Sequence, residues 1–74
     1  MTEIMTKSSF SVRIRSFRLA YGLTQQEVAD AVGVCRTAVT NWESGIQMPT
    51  IHALMALAKL FQCSLDELLQ GDGQ

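Results

Sequence analysis

The stretch GLTQQEVADAVGVCRTAVTNWESG, residues 22–45, decides the fold. Thr24 followed by Glu27 is a T-x-x-E capping box, in which the threonine hydroxyl accepts a first-turn amide and the glutamate returns to the threonine amide. The helix it starts is expected to bury Val28, Ala29 and Val32 and to stop at Gly33. Val34 and Cys35 alone separate that stop from a second helix. Two short helices with so brief a glycine-containing connection cannot lie side by side; they must cross steeply.

The second helix of the pair divides cleanly. At about 100° per residue, Arg36, Thr40, Thr37 and Asn41 fall within one arc, and Ala38, Trp42 and Val39 fall within the opposite one. A face meant only for solubility would carry Glu and Lys. This one carries short hydrogen-bonding groups and one guanidinium, which match the base edges of the DNA major groove. Arg36 suits guanine O6 and N7, and Asn41 suits adenine N6 and N7. Thr37 and Thr40 offer a hydroxyl to a base or phosphate and a methyl to thymine.

Outward from this pair, Phe10, Ile14, Phe17 and Tyr21 recur at helical spacing, with Ser8 or Ser9 as the candidate cap and Gly22 as the stop. Val12 and Leu19 fall on the opposite side and read as isolated surface hydrophobes, with a partner contact as the alternative. Residues 44–49 form a loop, with Gly45 past one helix end and Pro49 ahead of the next. Thr50 caps a helix expected to reach about Gln62 and to bury Leu54, Leu57, Ala58 and Phe61. Ser64 with Glu67 is a second capping box, for a terminal turn carrying Leu65, Leu68 and Leu69. The expected fold is all-α, a compact five-helix bundle. Residues 1–8 form an N-terminal arm, 9–70 the domain and 71–74 a tail or the start of a linker.

The 74 residues point to one small domain with ample apolar content, 47%. A formal net charge of −1 is low for a nucleic-acid binder, but five of the six Lys and Arg residues lie within positions 1–41. A basic face and an acidic face are therefore expected, and the local field matters more than the sum. Cys35 and Cys63 have no CxxC spacing and read as free thiols in a reducing cytoplasm. With His52, which reads as solvated, they have no metal-ligand spacing. Neither a bilayer-length apolar run nor a signal-peptide pattern is present, so the expected protein is cytoplasmic. No set of nucleophile, base and acid is placed around a pocket; no enzyme, cofactor, metal or small-molecule substrate is expected.

The run from Ile14 to Leu69 resembles the helix-turn-helix domain of the Cro and phage-repressor family. The matching pieces are Ile14 and Arg18, then GLTQQEVADAVGV, AVTNWESG, Pro49 and LMALAKLFQCSLDELL. The resemblance implies a lambda-repressor-like fold and a double-stranded DNA operator as partner, bound by a homodimer. It implies that Arg36, Thr37, Thr40 and Asn41 face the groove, that Gln25 touches phosphate and steadies the reading helix, and that Arg18 and Glu43 form a structural pair. Gln26, Arg13, Arg15 and Gln47 are further phosphate candidates. Leu65, Leu68 and Leu69 are the dimer candidates, with the lid of the core as the alternative.

Two features depart from the family pattern. The loop after the reading helix reads Ile46-Gln47-Met48, without the usual Lys or Arg, so the counterion-release contribution to binding is expected to be small. Cys35 stands where Ser or Thr usually caps the reading helix, and sulfur is a weak acceptor. A thiol at a helix N-terminus beside Arg36 is also the setting of a redox switch, although a small tolerated residue is the preferred reading. The expected function is a sequence-specific transcriptional regulator, a phage or prophage repressor or Cro-like protein. The alternatives are an antitoxin, a restriction–modification controller, or a protein-interaction module that has lost DNA binding.

Overall fold

A computed structural model of the chain describes residues 5–70. Its elements are α1 (Met5–Ala20), α2 (Gln25–Val32), α3 (Arg36–Ser44), α4 (Ile51–Leu60) and α5 (Leu65–Gln70). Among the described residues there is no strand, so the expected five-helix architecture stands. Of the expected arm over residues 1–8, positions 1–4 lie outside the described residues, as does the tail over 71–74. Positions 5–8 belong to α1, so Ser8 and Ser9 sit inside the helix rather than capping it.

Each boundary has a local cause. Thr24 Oγ1 accepts the Glu27 amide at 3.0 Å while Glu27 Oε1 accepts the Thr24 amide at 2.8 Å, completing the capping box. Ser64 and Glu67 repeat it at the start of α5, with bonds of 3.1 and 2.9 Å. Thr50 Oγ1 accepts the Ala53 amide. Gly33 takes a left-handed φ of 80°, and the amides of Gly33 and Val34 both return to the Ala29 carbonyl at 2.9 Å. Helix α4 stops at Leu60, earlier than expected, because Gln62 takes the left-handed conformation usually left to glycine, at φ 53°.

The core is assembled from every element. Phe10 and Ile14 of α1 meet Val28 and Ala29 of α2, Val39 and Trp42 of α3, Leu54 and Leu57 of α4, then Phe61 and Leu68. Helix α1 lies across α3 and α5, α2 packs on α3 and α4, and α4 on α5. A Cβ at Gly45 would stand 3.3 Å from Ser11 Oγ. That glycine thus serves both the left-handed end of α3 and the close approach of α1.

Leu68 is fully buried, which corrects its reading as a dimer candidate: its side chain is core lid, not surface. Leu69, 40% exposed, and the half-buried Leu65 remain available. Among the described residues no helix is long and apolar enough to cross a membrane.

Candidate nucleic-acid interface

Helix α3 turns Val39 and Trp42 into the core and leaves Arg36 and Thr37 in solvent. The side chains of Arg36 and Thr37 are exposed and make no hydrogen bond or ion pair among the described residues. They stand at the positive end of the α3 dipole, where an anionic ligand is favoured. Cys35 is the N-cap by its backbone, φ −87° and ψ 160°, but its side chain makes no capping bond. Cys35→Ser is therefore expected to stabilise the fold by about 0.5–1 kcal/mol, since a serine oxygen can accept a first-turn amide. Urea unfolding of the two proteins measures it.

The four expected readers are not equivalent. Thr40 donates its hydroxyl to Gln25 Oε1 at 2.9 Å, with a weaker alternative to the Arg36 carbonyl at 3.2 Å. Its single proton is committed inside the protein, so at most its methyl and lone pairs face a base. Asn41 is half-buried and donates from Nδ2 to Gln47 Oε1 at 3.1 Å. Gln25 in turn donates to Glu43 Oε1 at 3.1 Å while accepting from Thr40. Both ends of its amide are occupied, and it acts as a brace between α2 and α3. The phosphate contact expected of it is left to its remaining Nε2 proton and to the α2 N-terminus.

Arg18 and Glu43 form the expected strut. Nε and Nη2 donate to the two carboxylate oxygens at 2.6 and 3.1 Å, and Nη1 donates to the Leu23 carbonyl at 2.9 Å. One bidentate pair thus ties α1 to the end of α3 and to the loop before α2.

The phosphate candidates separate as well. Arg13 is partly engaged: its guanidinium donates twice to the Glu67 carbonyl, at 3.1 and 3.0 Å, and lies 5.4 Å from the centre of the Phe17 ring. Nη1 is left for the phosphate contact expected of Arg13. A carbonyl in the last turns of a helix lacks an intrahelical donor, and a cation there also suits the helix dipole. Gln26 donates to Asp30 Oδ1 at 3.0 Å, one turn along its own helix, which leaves its carbonyl oxygen and second amide proton. Arg15 is exposed and, among the described residues, unpaired, at the rim of a cleft of about 220 Å³ lined also by Gln25, Thr40, Glu43 and Ser44.

On another side, an open groove of about 610 Å³ between α4 and α5 is lined by Met55, Ala58, Lys59, Cys63, Leu65 and Glu67 among others. Burial first, then the Glu67 charge, raises the Cys63 thiol above its ordinary pKa, against the opposing pull of Arg13. The thiol is thereby kept neutral, as suits its half-buried place against the core. Met55 escaped the sequence reading. It shares an outward face of α4 with Ile51, opposite Leu54 and Leu57, and both are exposed. Among the described residues no cluster of three His, Cys, Asp or Glu side chains is placed to hold a metal.

A capped helix, a tight turn at a left-handed glycine and a second helix with one buried and one free polar face define a helix-turn-helix domain. The chain belongs to the helix-turn-helix family, whose model matches residues 14–68, and the family is one of DNA-binding transcriptional regulators. It is 36% identical over 63 residues to the transcriptional activator BcrR of Enterococcus faecalis, covering 85% of this chain and 31% of that protein. It is 40% identical over 60 residues to the repressor protein C2 of Salmonella phage P22, covering 81% of this chain and 28% of the repressor. The chain thus spans about a third of the length of these two relatives. The P22 c2 repressor solved with a synthetic operator superposes with a TM-score of 0.82 at 38% identity, covering 85% of this chain and 96% of that one. The restriction–modification controller C.AhdI of Aeromonas hydrophila gives 0.78 at 29% identity, covering 84% and 94%.

Proposed function

We propose that the protein is a sequence-specific transcriptional regulator of the phage-repressor kind, which acts in the cytoplasm and lays α3 in the major groove of an operator. The observation that carries this reading is the pair of side chains Arg36 and Thr37, exposed and, among the described residues, unpartnered on the first turn of a helix whose other face is core. A guanidinium left free there has bidentate reach to guanine O6 and N7. The likeness to the P22 c2 repressor in complex with a synthetic operator supports the same reading.

A single domain of this size reads few base pairs, so a homodimer on a pseudo-palindromic site supplies the specificity, with half-sites about one helical turn apart. Leu65 and Met55, which line the α4–α5 groove, and the exposed Leu69 offer the apolar surface for it. Arg15 and Arg36 supply the main cationic contacts, Arg18 being bound to Glu43 and Arg13 in part to Glu67. Salt dependence is correspondingly shallow.

The test is selection of bound sites from random duplexes, followed by Arg36→Ala on the selected site. The variant is expected to lose preference at one guanine per half-site, at about 1–3 kcal/mol beyond the uniform weakening that loss of one cation brings to every duplex. An unaltered preference at every position would remove α3 as the reader.

A further inference from the structure

We infer that Gln47 is a positioning residue, whose side-chain oxygen fixes the Asn41 amide for bidentate contact with adenine. The inference rests on the groove-reading function proposed above and adds a specificity determinant to it. An asparagine amide turns about a broad sp³–sp² torsion, so a lone Asn on a helix surface has no fixed amide plane. To read adenine it must offer Oδ1 to N6 and one Nδ2 proton to N7 in the same plane.

In this chain the second Nδ2 proton is already used, donated to Gln47 Oε1 at 3.1 Å. Made through the proton trans to Oδ1, that bond fixes the amide plane and leaves Oδ1 and the other Nδ2 proton side by side for adenine.

The placement of Gln47 is not a loose loop contact. Gly45 ends α3 in the left-handed conformation, and the chain doubles back on itself. The amides of Ile46 and Gln47 then both return to the Asn41 carbonyl, at 3.0 and 3.3 Å. Asn41 therefore holds Gln47 through the backbone and is held by it through the side chain. Gln47, read from sequence as a phosphate contact in a loop lacking cations, has instead a committed oxygen directed at a neighbouring reader. Asn41 is half-buried while Gln47 is exposed, so changes at Gln47 disturb little packing.

Two variants separate orientation from phosphate binding. Gln47→Met keeps the length and removes the acceptor. Gln47→Glu keeps an acceptor for the Asn41 proton and places a negative charge near the DNA backbone. Affinities are measured for the selected operator, for its single-position variants and for random duplex, with thermal unfolding confirming that each protein folds.

Asn41→Ala and Gln47→Met are expected to lose adenine preference at the same position by about fivefold or more, with binding to random duplex unchanged for Gln47→Met. Gln47→Glu is expected to keep that preference while binding every duplex more weakly. A Gln47→Met protein that weakens all sites alike, or changes none, overturns the inference. So does a Gln47→Glu protein that loses the preference. If Asn41→Ala changes no preference while Arg36→Ala does, this inference falls and groove reading stands; if neither changes any, both fall.

Discussion

Arg18→Ala is expected to destabilise the domain by about 3–5 kcal/mol, the cost of leaving a buried charge without its partner. The side chains of Arg18 and Glu43 are only 12% and 6% exposed, and their contact is bidentate. Removing the guanidinium leaves the Glu43 carboxylate shielded from water with a single donor, the Gln25 amide at 3.1 Å. It also releases the Leu23 carbonyl and unties α1 from α3. Against the few kcal/mol that hold a small domain folded, such a loss brings the variant close to unfolding at ordinary temperature. Urea unfolding measures it. Replacing both partners, Arg18→Met with Glu43→Leu, is expected to retain most of the stability, because no charge is then left buried. A single-variant loss below about 1 kcal/mol would class the pair with surface ion pairs.

Phe61→Ala is expected to cost a similar amount, about 3–5 kcal/mol, for a different reason. The ring is 1% exposed at the end of α4, stacked on Phe17 with centroids 5.2 Å apart and tilted against Tyr21 at 5.6 Å. Truncation removes its transfer energy, both ring contacts and the packing of Phe17, and leaves a cavity the helices can close only in part. The Tyr21 hydroxyl donates to the Phe61 carbonyl at 2.8 Å, and that backbone bond survives the substitution. Phe61→Leu, which fills most of the volume, is expected to lose less than half as much. Thermal and urea unfolding of the pair decide whether the aromatic cluster or the bulk alone matters.

What could be read in the chain was local. The boxes at Thr24 and Ser64, the cap at Thr50 and the stops at Gly33 and Gly45 announce themselves within four residues, and each is formed as read. The buried face of α3 follows from periodicity alone. Arg18 and Glu43 are 25 positions apart, and their pairing came from family resemblance rather than from spacing.

What could not be read depended on distance or on shortness. Arg13 finds its acceptor 54 positions away, on a carbonyl that has no side-chain signature. Leu65, Leu68 and Leu69 lie in a helix of six residues, too short for a period to say which of them faces inward. The end of α4 carries Gln62, not glycine, at its left-handed position, so nothing marked the stop. The start of α1 was misplaced because Ser8 and Ser9 look like caps, yet serine is also tolerated inside helices. The engagement of Thr40 by Gln25 crosses from one helix to the next and was invisible to a wheel drawn for one helix.

The double bond from Arg13 to the Glu67 carbonyl bears on the order in which the molecule comes apart. A helix of six residues has barely more internal bonds than its nucleation requires and does not persist by itself. Helix α5 exists because Leu68 is sunk in the core and a guanidinium from the first helix holds a carbonyl of its third residue. The first and last helices are thereby one cooperative unit: when α1 lets go, α5 keeps only its packing on α4. Hydrogen exchange in α5 accordingly reports on the anchoring of α1, although the two elements stand at opposite ends of the sequence.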